Sequence, residues 1–145
     1  PFTEEELNVK DNLDFFNTKI TSLPEGLKVG GDLDLSHSKI ESLPKGLKVG
    51  GYLNLRFCRE LTSLPEGLKV GGALFLTKTN ITSLPKDLKV NASLFLYDTN
   101  ITSLPKGLKV GGDLYIENTP LEKYSDKKLI EMIKPGFING KIFRR

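Results

Sequence analysis

Leucine returns along this chain on a schedule. Leu33 and Leu35 flank the polar Asp34, and the same apolar–polar–apolar triplet recurs at Leu53/Leu55, Leu74/Leu76, Leu94/Leu96 and Leu114/Ile116. Leu13 and Phe15 hold the same places in a more divergent first copy. Alternation with a period of two predicts a short strand with one face buried. The wording around each triplet is nearly constant. The segment ITSLPEGLKVGG starts at Ile20 and returns with small changes from Ile40, Leu61, Ile81 and Ile101, a step of 20 residues with one of 21. Self-similarity at so short a fixed period predicts a stack of like units rather than an ordinary globule. Side by side, the strands form a parallel sheet along one wall.

The rest of the unit predicts the rest of the coil. A Gly pair precedes most strands (Gly30-Gly31, Gly50-Gly51, Gly71-Gly72, Gly111-Gly112) and is expected to let the chain bend sharply. Asn91-Ala92 replaces it once, with Asn able to adopt the left-handed conformation. A phosphate-binding glycine loop is set aside, because no helix follows and no Lys-Ser/Thr pair closes the motif. Three residues beyond the second apolar place stands Thr18, Ser38, Cys58, Thr79, Thr99 or Thr119. These small groups are expected to bond the loop backbone of neighbouring units, with Cys58 a structural member of the column. Each return path carries Ser-Leu-Pro, and Pro forbids a helix interior. Too few residues remain for a helix, so the outer wall is expected to be extended or polyproline-like with a tight turn.

The pattern L-x-L-x-x-T-x-I-T-S-L-P resembles the leucine-rich repeat in its short bacterial form, and the wording LPEGLKVGGDLDL is similar to proteins of bacteria and their phages. The resemblance covers six units over residues 7–121. It departs where Thr, Ser or Cys replaces the usual Asn, and where RFCRELTSLPEG carries an extra residue. It implies a right-handed superhelix with the parallel sheet on the concave side, an extended convex side, and a concave strand face that binds a partner.

Terminal units of such a stack need covers. Residues 1–6 are expected to form a short N-terminal cap, with a Thr3/Glu6 capping box and Phe2 over Leu7. Residues 122–145 form the C-terminal cap. There Ser125 starts a helix over residues 126–134 with Leu129, Ile130 and Ile133 on one face, and Tyr124 and Leu129 stand at staple spacing. Pro135-Gly136 ends the helix, and FINGKIF suggests a hairpin about Asn139-Gly140.

Composition changes this picture little. Hydrophobic residues make up 38% of 145, enough for one folded domain. The single Cys58 excludes an intrachain disulfide and leans toward a reducing, cytoplasmic setting. The chain opens at Pro1 without Met, so a removed leader or export is left open. No apolar run approaches membrane-spanning length. The formal charge of +3 hides a gradient: −5 over residues 1–41, +4 over 42–121 and +4 over 122–145. An acidic head and a basic tail suit end-to-end association, although the simpler reading is two solvated ends of a monomer.

Candidate chemistry lies where the units differ. The outward middle column of the strands reads Asp14, Asp34, Asn54, Phe75, Phe95, Tyr115. The column after it reads Phe16, Ser36, Arg56, Thr77, Tyr97, Glu117, and the one before it Asn12, Asp32, Tyr52, Ala73, Ser93, Asp113. Neighbouring strands lie about 4.8 Å apart, so Phe75, Phe95 and Tyr115 are expected to form one ridge. Tyr97, Tyr52, Arg56 and Phe57 would flank it, and Asp14, Asp32 and Asp34 would steer a basic region of a partner. Stacked rings that merely stabilise the sheet are the plainer alternative. A uniform lysine column, Lys28, Lys48, Lys69, Lys89 and Lys109, reads first as a soluble outer wall and second as a track for a polyanion.

Searches for catalysis return nothing. His37 is the one histidine and has no Cys or Ser partner at a recognisable spacing. Asp14, Asp32 and Asp34 resemble a solvated acidic surface more than a cation site, and no cofactor is implied. The N-x-S/T matches at Asn80, Asn91 and Asn100 arise from the repeat itself. The expected function is non-enzymatic recognition of a protein through the strand face, without nucleic acid or membrane. The rivals are a self-assembling structural repeat and the repeat portion of a longer bacterial effector. Similar short-repeat effectors carry a ubiquitin-ligase domain, which the 24 residues after Leu121 are too few to hold.

Overall fold

A computed structural model describes residues 2–145; Pro1, assigned above to the N-terminal cap, lies outside the described residues. The chain winds as a parallel β-solenoid with two seven-stranded sheets, both in strict chain order. The sheet foreseen from the leucine triplets runs through Leu13–Asp14, Leu33–Asp34, Leu53–Asn54, Leu74–Phe75, Leu94–Phe95 and Leu114–Tyr115. Its register sets like upon like: Leu94 lies opposite Leu74 and Leu114, and Phe95 opposite Phe75 and Tyr115. The leucines point inward and are fully buried from Leu33 onward, while the residue between them faces out.

A second sheet is absent from the sequence-based expectation. It starts at Asn8–Val9 and runs through Lys28–Val29, Lys48–Val49, Lys69–Val70, Lys89–Val90 and Lys109–Val110 to a seventh strand near the C-terminus. The valines are at most 2% exposed and the lysines point away from them. A two-residue strand carries no readable alternation, so only stacking reveals it. After the extended Ser-Leu-Pro path the expected turn does form. In it the Leu47 N–H donates to the Pro44 carbonyl at 3.2 Å, with Gly46 at φ 74°. Positive φ at the third place is the type II turn, which favours Gly there. Asp87, at φ 61°, is the one stand-in.

The glycine pairs work differently from the expectation. None of them, and not Asn91, lies in the left-handed region. They are small because the next coil is close. A methyl group on Gly50 would strike the Gly30 carbonyl oxygen, and one on Gly71 that of Gly50. The Gly50 and Gly71 N–H groups donate to Val29 and Val49 at 2.7 Å. At the Asn91-Ala92 step the Asn91 N–H reaches Val70 at 3.0 Å and the Ala92 N–H reaches Gly72 at 3.2 Å, the same length as from Gly31 to Asp11.

The hydroxyl column also departs from expectation. Thr18, Thr79, Thr99 and Thr119 donate within their own coil, to the carbonyls of Phe15, Leu76, Leu96 and Ile116 at 2.7–2.8 Å. Each closes a second turn whose third residue is left-handed: Asn17, Lys78, Asp98 or Asn118. In this column only the Ser38–Cys58 pair bridges coils: the Cys58 thiol donates to the Leu35 carbonyl at 3.0 Å, and the Ser38 hydroxyl meets Cys58 Sγ at 3.8 Å. Burial, partly offset by a hydrogen bond from Ser38, pushes that thiol's pKa up. A buried, protonated thiol is a packing group rather than a nucleophile.

At the N-terminus, helix α1 (Glu4–Leu7) forms with the capping box of Thr3 and Glu6 complete. Phe2, however, is 61% exposed and covers nothing. At the C-terminus Ser125 caps α2 (Asp126–Ile133), as expected. Leu129 and Ile133 are buried, but Ile130 is exposed and Met132 packs on the core instead. The hairpin does not form. Phe137–Ile138 continues the Lys-Val sheet beside Lys109–Val110, and Ile142–Phe143 continues the other beside Leu114–Tyr115, both parallel. The segment is a seventh coil. Beyond it, the Glu122 carboxylate accepts from the Arg145 side chain and backbone N–H, which holds its pKa at about 2 against an ordinary 4.5. No helix among the described residues is long and apolar enough to cross a membrane.

Two measurements check this account. Gly71→Ala is expected to lower stability to urea by about 1–3 kcal/mol, because the methyl group overpacks one coil on the next. Gly46→Asn adds a Cβ with nothing within 4 Å. It keeps a residue that tolerates positive φ and should stay within about 0.5 kcal/mol of the parent. Equal losses would remove the distinction between close approach and turn geometry. The Glu122–Arg145 contact stabilises the tail above the ordinary carboxyl pKa of 4.5 and is lost as pH falls through about 2. The Arg145 amide resonance should therefore titrate in that window, and Glu122→Gln should abolish the titration.

Candidate functional site

Because each coil sets its outward strand residue over the one before, side chains on this wall form straight columns. Phe75 and Phe95 stack at 4.6 Å between ring centroids with 12° between planes, and Phe95 and Tyr115 at 4.5 Å and 9°. Phe143 adds a fourth ring on Tyr115 at 4.8 Å and 14°. All four lie on the outer side of the sheet, and Phe143 is 38% exposed. The Arg56 guanidinium lies 3.8 Å over the other end of the stack, on the Phe75 ring. Tyr52 meets Phe75 edge-on at 6.1 Å, and Tyr97 leans on Phe95 and Tyr115 at 5.9 and 6.0 Å. Parallel stacks and a guanidinium over a ring face are both favourable, by about 0.5–1.5 kcal/mol each.

Phe57 stands apart from this ridge. At φ 61° it turns toward the adjoining edge and stacks on His37 at 4.5 Å, with Phe16 edge-on to His37 at 5.6 Å. Arg59 lies 5.7 Å over Phe57. The strand face therefore carries two aromatic groups, the long ridge and a smaller trio. Phe143 belongs to the ridge and was not among the expected residues. Its signal was nevertheless present. Phe137-Ile138-Asn139-Gly140-Lys141-Ile142-Phe143 repeats the apolar spacing of Lys109-Val110-Gly111-Gly112-Asp113-Leu114-Tyr115, and a degenerate Asn-Gly had suggested a hairpin turn.

The polar residues of the face are partly engaged by the fold. Asp14 and Asp34 accept from the backbone N–H of Phe16 and Ser36 at 2.9 Å, and Asn54 from that of Arg56 at 3.1 Å. Asp32 accepts the Tyr52 N–H of the next coil at 2.9 Å. Each carboxylate spends one oxygen on this and keeps its charge on the face. The three carboxylates and Tyr52 line a dent of about 130 Å³. Burial, and then Asp32, Asp34 and Asp14, raise the Tyr52 pKa above 10. Burial and then Asp113 raise that of Tyr115. Beside the ridge, Thr77 Oγ1 and Glu117 Oε1 are buried without a hydrogen-bond partner. The surface is thus acidic at its first coils and aromatic from Tyr52 to Phe143. Among the described residues no group of three or more His, Cys, Asp or Glu side chains is arranged to hold a metal ion.

No protein-family model matches this chain, and no curated protein does.

Spectrophotometric titration of the tyrosines tests the local field. Asp32→Asn keeps the oxygen that accepts the Tyr52 N–H and removes the charge. The Tyr52 phenol should then ionise at lower pH, and an unchanged midpoint would remove Asp32 as a cause, leaving burial with Asp34 and Asp14. Both shifts act against the phenolate, so they leave the stability of the fold unchanged below pH 10 and lower it as pH rises through the folded values.

Proposed function

We propose that this chain is a non-enzymatic recognition module that binds a protein through the strand face holding Phe75, Phe95, Tyr115 and Phe143. The observation that carries the proposal is the unbroken column of four rings on a solvent-facing wall. Soluble chains seldom leave a contiguous apolar patch without a use, and aromatic side chains beside an Arg are enriched at binding hot spots. Since ring faces are consumed by stacking, what the ridge offers a partner is a line of ring edges flanked by Tyr97 and Tyr52. An apolar segment lying along the column, about 14 Å for three strand spacings, meets that shape. Asp14, Asp32 and Asp34 lie beyond Tyr52 and favour basic residues at one end of the segment. The resemblance to short leucine-rich repeats of bacteria and phages supports the same face, since the variable strand positions are the binding surface that the resemblance implies.

Selection from a phage-displayed random peptide library against the immobilised chain tests the proposal. Enriched peptides should combine aromatic or aliphatic residues with Lys or Arg to one side. Phe75→Ala/Phe95→Ala/Tyr115→Ala should lose them while remaining folded by circular dichroism, at a stability cost of about 1–3 kcal/mol from the broken stacks. Peptides held equally by that variant, or no enrichment, would leave the ridge as a device of sheet stability alone.

A further inference from the structure

The lysines of the second sheet make a different surface from the aromatic ridge. Lys28, Lys48, Lys69, Lys89 and Lys109 are consecutive register partners. At about 4.8 Å per strand they form a line about 19 Å long. Like charges placed directly opposite one another across strands are destabilising. Among the described residues no ion pair offsets them, and Glu4 shares a cleft with Lys28 alone of the row. The ion pairs among the described residues use Lys39, Lys78, Lys134, Arg144 and Arg145, and none uses a lysine of this row. Beside the row runs a groove of about 330 Å³. Four of the five lysines line it together with Gly30, Gly50 and Gly71, and no carboxylate does. Val29, Val49 and Val70 line it as well, the glycines contribute bare backbone, and Asn8 and Asn91 add neutral polar groups.

We propose that this row is a docking surface for single-stranded nucleic acid, held by its phosphates without reading its bases. The chemistry of the row selects the partner. Lysine is depleted at protein–protein interfaces, whereas as a compact point charge it is a common partner of phosphate. No aromatic side chain lines the groove, so there is no platform for base stacking. One straight file of cations matches one strand's phosphates, while a duplex presents two strands across a wide groove. Neutralising the file also removes the repulsion between the lysines, so binding should raise the thermal stability of the fold. This surface and the protein-binding face are on separate sheets, and neither proposal depends on the other.

Fluorescence anisotropy of a labelled oligo(dT) against the intact chain, over a series of salt concentrations, tests the proposal. Binding should appear at low salt and weaken with a log–log slope of about −3 if four or five phosphates are contacted. Lys48→Gln/Lys69→Gln/Lys89→Gln should weaken it at least about tenfold and reduce the slope by about 2. Its unfolding temperature should be equal to or above the parent's. Lys45→Gln/Lys86→Gln/Lys106→Gln removes the same charge from exposed turn positions and should retain most of the affinity. Oligo(dA) should bind like oligo(dT). The proposal fails if nothing binds, if both triple variants lose binding equally, or if duplex DNA or an oligoglutamate peptide binds more tightly than the single strand.

Discussion

Hydrogen bonds between successive coils set the dimensions of everything else in this molecule. On the leucine sheet the amide donates to the next coil, as from Leu33 to the Tyr52 carbonyl at 2.9 Å. On the Lys-Val sheet it donates to the coil before, as from Gly50 to Val29 at 2.7 Å. At the corner between the sheets the backbones approach most closely at Gly30, Gly50 and Gly71, 2.7 Å from donor to acceptor, while Asn139 and Asn91 make the same bond at 2.9 and 3.0 Å. Inside, the same spacing puts leucine on leucine and leaves no room for a polar core. The buried hydroxyls of Thr79, Thr99 and Thr119 donate to carbonyls of the turns they close, Ser36 meets Asp34, Ser38 meets Cys58, and Thr77 Oγ1 has no partner.

A stack of this kind turns sequence identity into spatial alignment. Whatever residue occupies a place in one coil meets its counterpart in the next at contact distance. For Phe75, Phe95 and Tyr115 this is attractive, and the rings lock face to face. For the lysines it is repulsive. One geometric rule thus produces a cohesive apolar column on one wall and an uncompensated cationic file on the other. The first is an internal solution to stacking; the second leaves like charges facing one another without an ion pair.

The solenoid, its leucine strands, the Ser-Leu-Pro path and the caps at Thr3 and Ser125 were legible in the sequence because each is a local pattern with a repeating partner. What escaped was long-range or degenerate. The Lys-Val strands are too short to show a period and exist only because neighbours pair with them. The glycine pairs looked like bends because sequence shows a missing side chain but not the carbonyl pressed against it. Phe143 was hidden by Asn139-Gly140, a strong local hairpin signal overruled by the stack. The ridge of Phe75, Phe95 and Tyr115 was readable from strand spacing alone. The departure of Phe57 from it was not, since that follows from a left-handed backbone at its place in the coil.

The unit with one residue more than the others carries a consequence of its own. Lys48 still faces Lys69 and Leu53 still faces Leu74, so both sheets keep their register across the longer coil. The extra length is taken up between Cys58 and Leu61, where Arg59 and Glu60 bulge into solvent in place of the single Lys39. That corner is a seam at which the coil takes an added residue while both walls hold their alignment.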